Sequence, residues 1–179
     1  MNTILTQDFK TPVGEITLGV FEDQLCLCDW KYRKMRNAVD ERIKKGLDAD
    51  FEIGTHPLIE TTKTQIQEYL EGARKEFDIP LKLVGSDFQQ RVWKALIQIP
   101  FGETRSYLQL SQDLGNPDAI RAVASANGAN AISILIPCHR IIGSDGSLVG
   151  YAGGLEAKKK LLKLENAKAM QPKGQTSLF

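Results

Sequence analysis

Two neighbouring residues, Cys138 and His139, are the ones in this sequence best suited to covalent chemistry. They follow an apolar run at residues 131–136 and the proline at position 137. The run predicts a buried strand, and the proline ends it because proline cannot donate a hydrogen bond to a sheet. A thiol fixed at the end of a strand, beside one of only two histidines in the chain, is a candidate activated nucleophile.

Glu165 is a candidate third member of this site. It ends a helix predicted for residues 155–165 and lies over the same face as Leu161 and Leu162. A carboxylate at the edge of an apolar stripe needs a partner, which His139 could supply. The alternative is a glutamate at a helix end that simply contacts water.

These three residues could form a relay that activates the thiol. A free thiol has a pKa of about 8.5, so little of it is thiolate at neutral pH. Side chains of neighbouring residues in an extended chain point opposite ways, so we expect a water molecule to link Cys138 to His139, with Glu165 behind the imidazole. Acyl transfer, redox chemistry and alkyl transfer are all compatible with this pattern alone.

The composition limits the class of protein. The chain has 179 residues, 42% of them hydrophobic, which suits one large domain or two small ones. No apolar stretch reaches the roughly 20 residues of a membrane span, and residues 1–7 lack the basic start and apolar run of a signal peptide. We therefore predict a cytoplasmic protein that does not enter a membrane.

The other two cysteines, Cys26 and Cys28, lie in an apolar run and would share one face of a strand. Free cysteine is among the most buried residue types, so we interpret both as structural thiols. A zinc site would need more ligands, and His56 is the only other imidazole. No metal and no cofactor are predicted.

Charge is distributed unevenly along the chain. The net charge is +1, but residues 86–179 hold 11 basic and 7 acidic side chains, against 12 and 15 in residues 1–85. A basic C-terminal half permits a surface that faces DNA, although it does not require one.

Residues 1–85 predict a small α/β domain without visible chemistry. Strands at residues 15–21 and 25–30 are joined by a turn. Helices are predicted at residues 31–45, with Gly46 as the stop, and at residues 57–71. The evidence for the first helix is the helical spacing of Tyr32, Met35, Val39 and Ile43.

Residues 86–166 predict a mainly helical domain. Ser86 and Gln89 form a capping box at the start of one helix. A short helix at residues 106–114 and a glycine-containing turn lead to another helix, with Asn116 as its cap and Pro117 in its first turn. Two helices joined by a tight turn are typical of a helix-turn-helix.

The second helix of this pair, residues 119–127, consists almost wholly of small residues around Arg121. Small side chains let a helix approach another surface closely, and that surface could be the protein's own core. Burial suits a lone arginine poorly, because an unpaired buried charge is costly. The pattern favours a helix that enters a groove and inserts one long side chain.

The sequence from residue 86 to residue 165 resembles the O6-alkylguanine-DNA alkyltransferases, also called methylated-DNA–protein-cysteine methyltransferases. The motifs that carry the resemblance are Pro137-Cys138-His139-Arg140, Gly150-Tyr151-Ala152-Gly153-Gly154, Phe101-Gly102-Glu103-Thr104 with Tyr107, and Gly115-Asn116-Pro117 with Arg121-Ala122-Val123. The family's fold implies a ribonuclease H-like α/β domain at residues 1–85. It further implies a mainly α, winged-helix-like domain with a helix-turn-helix at residues 86–166. The polar composition after residue 166 predicts a flexible tail at residues 167–179.

The resemblance implies DNA repair by a single-turnover enzyme. Cys138 would accept the alkyl group of O6-methylguanine, and of O4-methylthymine, irreversibly from a nucleotide flipped out of the duplex. His139 and Glu165 would be the activating relay, and Asn130 would brace the active-site loop. Tyr107 would contact the base and donate a proton to the departing guanine.

The resemblance also implies a monomer that contacts double-stranded DNA through its minor groove, with residues 119–127 as the recognition helix. Arg121 would fill the gap left by the flipped nucleotide. The carbonyls of Cys138 and Ile141 and the amide of Ala152 would read the guanine edges. Family members often carry serine in place of Ala152, a change that preserves a backbone contact. The remaining predicted contacts are Ala122, Asn127 and Tyr151.

The last five residues, Gln175-Thr176-Ser177-Leu178-Phe179, resemble the pentapeptide by which bacterial proteins dock on the DNA sliding clamp. Gln175, Leu178 and Phe179 would make the contacts, while Thr176 departs from the usual leucine. The alternative is a frayed chain end without a partner.

The alternatives are a lesion-binding protein without transfer activity and a cysteine-dependent enzyme of another class. A protein that binds alkylated DNA without transfer would lack the acceptor cysteine, so Cys138 counts against it. A cysteine-dependent hydrolase or a thiol redox protein would need an oxyanion motif or a resolving cysteine near Cys138, and neither is apparent.

Overall fold

The N-terminal half of the protein is built on a four-stranded sheet. The computed structural model describes residues 2–170. Its first strands are β1 (Asn2–Thr11), β2 (Gly14–Phe21), β3 (Gln24–Trp30) and β4 (Ala49–Ile53), in the order β3-β2-β1-β4. Neighbours pair antiparallel except β1 and β4, which are parallel. Glu22 and Asp23 both have positive φ, as a two-residue turn between twisted strands requires.

Two helices pack on this sheet, and the first begins later than the sequence predicts. Helix α1 spans Arg36–Leu47 and α2 spans Pro57–Leu70. Tyr32 and Met35 precede α1 and are 79% and 59% exposed, so their predicted place in this helix is wrong. Gly46 lies inside α1, which instead ends at Asp48 in the left-handed conformation.

The expectation that Cys26 and Cys28 share one face is also wrong. The β2–β3 register shifts between Gly19 and Val20, which leaves an extra residue in β3 and breaks the alternation of side chains. Cys26 therefore packs in the small cluster beneath α1, whereas Cys28 lies in the main core. Both thiols are free and buried.

The C-terminal half is mainly helical, as predicted. Its helices are α3 (Asp87–Ile97), α4 (Tyr107–Asp113), α5 (Ile120–Gly128) and α6 (Leu155–Leu164), and two short parallel strands are β5 (Arg105–Ser106) and β6 (Ile141–Ile142). The predicted capping box of Ser86 and Gln89 is present at α3, and α4 has a second one. The predicted start of α5 at Asn116 and Pro117 is wrong, because this helix begins three residues later without a side-chain cap.

One hydrophobic core joins the two halves. It combines buried residues of the sheet and α2, such as Leu18 and Ile66, with residues of α3 and α6, such as Trp93 and Leu161. The backbone of Cys28 in β3 also exchanges hydrogen bonds with Ala131 and Ser133, at 2.8 and 2.7 Å. The division of the sequence near residue 85, which stays a prediction, therefore does not separate two cores.

The packed structure continues beyond the predicted start of the tail at residue 167. Ala167 is fully buried against Ile142 and Leu162, and Lys168–Met170 form a 3-10 turn. Gln175, Leu178 and Phe179 lie outside the described residues. Among residues 2–170, no helix is long and apolar enough to cross a membrane.

Candidate active site

The apolar segment before Cys138 is a buried turn, so the predicted strand at residues 131–136 is wrong. Asn130 organises the turn: its Oδ1 accepts from the Ile132 amide at 3.0 Å and its Nδ2 donates to the Ile136 carbonyl at 3.0 Å. Ile134 has a φ of 72°, which a strand does not allow. A continuous apolar run indicates burial but does not distinguish a strand from a turn.

Cys138 lies at the start of a one-turn 3-10 helix, Cys138–Arg140, immediately after this turn. Its side chain is almost fully buried, at 4% exposure. Burial raises the pKa of the Cys138 thiol, while the Asn130 amide and the charge of Lys158 act in the opposite direction. The thiol is therefore protonated at neutral pH in the free protein.

Glu165 is the centre of a buried polar network. Its carboxylate accepts from His139 Nε2 at 2.7 Å, the Tyr69 hydroxyl at 2.5 Å and the Gly102 amide at 3.2 Å. Arg140 donates to both carboxylate oxygens, at 2.9 and 3.0 Å. Although burial opposes ionisation, these donors hold the pKa of Glu165 far below its usual range. The predicted contact with His139 is present, whereas Tyr69, Gly102 and Arg140 were not foreseen as partners.

His139 has one nitrogen engaged and one available. Burial lowers the pKa of this fully buried imidazole, with Glu165 acting in the opposite direction. A neutral ring with its proton on Nε2 donates to Glu165, which leaves the lone pair of Nδ1 as an acceptor. Nδ1 has no hydrogen-bond partner among the described residues, and none of the bonds within that range joins His139 to Cys138 directly.

Tyr107 is brought to the same site by the capping box of α4. Ser106 accepts from the Gln109 amide at 3.1 Å and so fixes the first turn of that helix, where Tyr107 lies. Burial raises the pKa of the Tyr107 hydroxyl, the Asn127 amide lowers it and a thiolate at Cys138 raises it. Tyr107, Asn127 and Cys138 are therefore electrostatic neighbours.

A glycine-rich loop forms another wall of the site. Tyr151 is in edge contact with Trp30 and with His139, at ring-centroid distances of 5.8 and 6.4 Å. Lys158 of α6 holds the loop by donating to the carbonyls of Val149 and Gly150, at 2.7 and 3.1 Å.

Lys158 is a functional candidate that sequence reasoning missed. It is only 1% exposed, and burial lowers its pKa to about 8, although a thiolate at Cys138 would raise it. In the sequence it heads a run of three lysines, 158–160, which reads as a solvated helix face.

Helix α5 has an inward and an outward face. Val123 and Ala126 are buried, and the Ala126 carbonyl accepts from the Trp93 indole at 2.8 Å. Arg121 and Ala122 are exposed on the other side. The small residues thus serve close packing within the protein while leaving one arginine available on the surface.

The remaining predicted contacts divide between the core and the glycine-rich loop. Ile141 is fully buried and directly follows the 3-10 turn, and Ala152 is half-buried next to Tyr151. Within residues 2–170, no group of three or more histidine, cysteine, aspartate or glutamate side chains could hold a metal ion.

Comparisons with known proteins point to one family. A model described as "6-O-methylguanine DNA methyltransferase, ribonuclease-like domain" matches residues 4–83, and one described as "6-O-methylguanine DNA methyltransferase, DNA binding domain" matches residues 87–167. The chain is 43% identical over 156 residues to the methylated-DNA–protein-cysteine methyltransferase of Methanosarcina barkeri, which covers 87% of this chain and 93% of the relative.

Mycobacterial proteins are similar as well. The chain is 54% identical over 105 residues to the methylated-DNA–protein-cysteine methyltransferase of Mycobacterium tuberculosis, which covers 59% of this chain and 64% of that relative's length. The crystal structure of Mycobacterium tuberculosis OGT in complex with DNA matches with a TM-score of 0.75 and 38% identity, and covers 94% of this chain and 97% of that one.

Proposed function

Because this chain belongs to the 6-O-methylguanine DNA methyltransferase family, we propose that it repairs DNA by moving the O6-methyl group of guanine to Cys138. The observation that carries the proposal is the buried contact of 2.7 Å between His139 and Glu165. His139 makes this contact from the same 3-10 turn that presents the thiol. An orienting carboxylate, a base and a nucleophile are the parts that covalent catalysis requires.

Each residue of the site has a separate role in the transfer reaction. A water molecule carries the thiol proton of Cys138 to Nδ1 of His139, whose other nitrogen is held by Glu165. The sulfur attacks the methyl carbon, a sulfur–carbon bond forms, and the bond between that carbon and O6 breaks with its electron pair going to the base. Tyr107 donates a proton to the departing guanine and regains one from solvent, to which His139 releases the proton taken from the thiol. Neither a metal nor a cofactor takes part in these steps.

The imidazole gains a charge during proton transfer, and Glu165 stabilises it. Because burial lowers the pKa of His139, the imidazole is neutral at pH 7 and its free nitrogen can accept a proton. Arg140 keeps the carboxylate ionised in the core, and Asn130 fixes the turn that aims the thiol. The thioether product has no leaving group, so each protein molecule acts once.

Access to the methyl carbon requires that the nucleotide leave the duplex, at a cost of a few kcal/mol. In this proposal helix α5 lies in the minor groove. Binding there depends little on base sequence, so the protein can recognise a damaged base in any sequence context. Arg121, exposed on that helix, fills the gap in the duplex, and Ala122 approaches the backbone. Asn127, Ile141, Tyr151 and Ala152 surround the flipped base.

We further propose that the protein acts as a monomer in the cytoplasm and accepts O4-methylthymine as a second substrate. Docking on the sliding clamp through Gln175, Leu178 and Phe179 stays a prediction. Deletion of residues 175–179 should abolish retention on immobilised clamp, and unchanged retention would contradict it.

One experiment separates transfer from the other functions. The protein is incubated with a duplex that contains O6-methylguanine and is then mapped by mass spectrometry. We expect a single methyl group on Cys138 at one-to-one stoichiometry, and Cys138→Ala should bind the duplex without accepting the group. Binding without an adduct would indicate a lesion-binding protein, and multiple turnover would indicate a hydrolase.

A further inference from the structure

Two arginines of the N-terminal half reach the C-terminal end of α5. The last carbonyls of a helix have no partner within the helix. Arg33 Nη2 donates to the Gly128 carbonyl at 2.5 Å, and Arg42 Nη2 donates to the Ala129 carbonyl at 2.8 Å. Arg33 Nη1 donates to the Asn130 carbonyl at 3.2 Å. Three successive carbonyls are thus bound by side chains that lie 87 to 97 positions earlier in the sequence.

Arg33 is held in place by a buried partner. Its Nη1 lies 3.2 and 3.4 Å from the two carboxylate oxygens of Asp29. The Asp29 side chain is fully buried and that of Arg33 is 6% exposed, so each charge depends on the other for compensation. Asp29 belongs to β3, the strand whose Cys28 backbone also binds Ala131 and Ser133.

Asn130 connects this contact to the reacting thiol. Arg33 binds its carbonyl oxygen, while the Asn130 side chain holds the turn that ends at Ile136. Cys138 follows two residues later. A shift of the Asn130 backbone therefore moves both the end of α5 and the start of the 3-10 turn.

We propose that Arg33 is a positioning residue for alkyl transfer: from the N-terminal half, it aligns the DNA-facing helix α5 with the turn that presents Cys138. This inference rests on the proposed function and adds a residue to it that touches neither the base nor the methyl group. The planar guanidinium of arginine offers five donors in a fixed fork, which suits two carbonyls and a carboxylate in this geometry. The ammonium group of lysine is a compact point charge on a flexible stem, so we expect it not to reproduce all of these contacts.

The test compares Arg33→Gln with Arg36→Gln. Arg36 is a matched control because its side chain donates to Asp40, at 2.7 Å, and to Thr17, whereas that of Arg33 donates to the carbonyls of residues 128 and 130. Single-turnover transfer is measured at increasing concentrations of a duplex that contains O6-methylguanine. Misalignment of reacting groups by a fraction of an ångström should lower the limiting rate of Arg33→Gln about tenfold, whereas Arg36→Gln should keep the wild-type rate.

A second variant separates alignment from charge. Arg33 lowers the pKa of the Cys138 thiol and Asp29 raises it, so Arg33→Gln and Asp29→Asn should shift the pH profile of iodoacetamide labelling in opposite directions. Both variants disrupt the same contact, so both should slow transfer if Arg33 aligns the site. A transfer rate that rises in Asp29→Asn would show that only charge matters and would overturn the proposal.

The outcomes for the two proposals differ. Wild-type protein that fails to accept a methyl group refutes the proposed function. Wild-type protein that accepts it, with Arg33→Gln as fast as Arg36→Gln, refutes only the role of Arg33. If Arg33→Gln does not fold, Arg33→Lys replaces it: slow transfer is again expected, and transfer at the wild-type rate would overturn the proposal.

Discussion

Glu165 makes more hydrogen bonds in the site than its position at a helix end suggests. Four residues donate to its carboxylate, and they come from α2, from the loop after α3 and from the 3-10 turn. The pKa of Glu165 is lowered in the folded protein, so its ionisation contributes stability above the pKa of the unfolded state, near 4.5, and that stability is lost as the pH falls. The lowered pKa of His139 further reduces the free energy of unfolding as the pH falls below 6.5. In that range the imidazole is protonated in the unfolded state but stays neutral in the folded state.

We predict that Glu165→Gln lowers the free energy of unfolding at pH 7 by about 3–5 kcal/mol, since Arg140 loses its buried counterion. The remaining stability should fall less steeply than that of the wild type below pH 4.5. Urea denaturation between pH 3.5 and 7.5 measures both effects. Glu41→Gln is the control, because Glu41 is an exposed partner of Lys44; an equal loss in both variants would contradict the prediction.

At the residue scale, the sequence was informative about side chains whose type is unusual for their position. Cys138 and His139 follow a proline, and Glu165 borders an apolar stripe, so their pattern indicated chemistry. Tyr69 lies within the helix predicted at residues 57–71, where its type indicates a core position and no chemistry. Its hydroxyl meets Glu165 across 96 positions of sequence, and such a contact is set by tertiary packing, which periodicity does not describe.

At the element scale, α4 shows how a local motif can serve a distant reaction. Its capping box is the same in kind as that of α3, but α4 begins with Tyr107 at the site. We predict that Ser106→Ala and Ser86→Ala each destabilise the protein by about 1 kcal/mol. Only Ser106→Ala should also slow transfer, because fraying of the first turn moves Tyr107.

Single-turnover assays and thermal denaturation on the two serine variants test this prediction. Equal transfer rates in both would show that the cap of α4 is purely structural. Unequal losses of stability would show that the two caps are not matched, in which case the rates are compared at temperatures equally far below each melting point.

Elements with a strong local signal were predicted well, and those that depend on neighbours were not. The β2–β3 hairpin and the capping box of α3 follow from short-range chemistry. Strand β4 is short and its five residues are partly polar, so only its pairing with β1 defines it. The turn at residues 131–136 was predicted as a strand because the Asn130 side chain, and not the apolar pattern, determines its shape.

At the scale of the whole molecule, both halves contribute to one core and to one site. Burial leaves little room around Cys138, and adding a methylene to a packed core costs about 1–3 kcal/mol. We therefore predict that methylation of Cys138 lowers the melting temperature. The measurement compares the protein before and after reaction with methylated duplex, and Cys138→Ala exposed to the same duplex is the control.

A shared core also predicts that both halves unfold together. Trp30 and Trp93 report on one half each, so fluorescence and circular dichroism should give one coincident transition. The amino-acid pattern alone suggested two domains because it changes near residue 85, and it could not reveal that the apolar faces of these domains pack on each other.

The 4% exposure of Cys138 protects the unreacted thiol and so prolongs the time for which the protein can accept an alkyl group. A reagent that is consumed in one event is lost for good whenever a stray oxidant or small electrophile reaches it first. A protonated thiol that is buried near Asn130 and Tyr151 is a poor target for such molecules. The fold therefore protects the Cys138 sulfur from side reactions until DNA occupies the site.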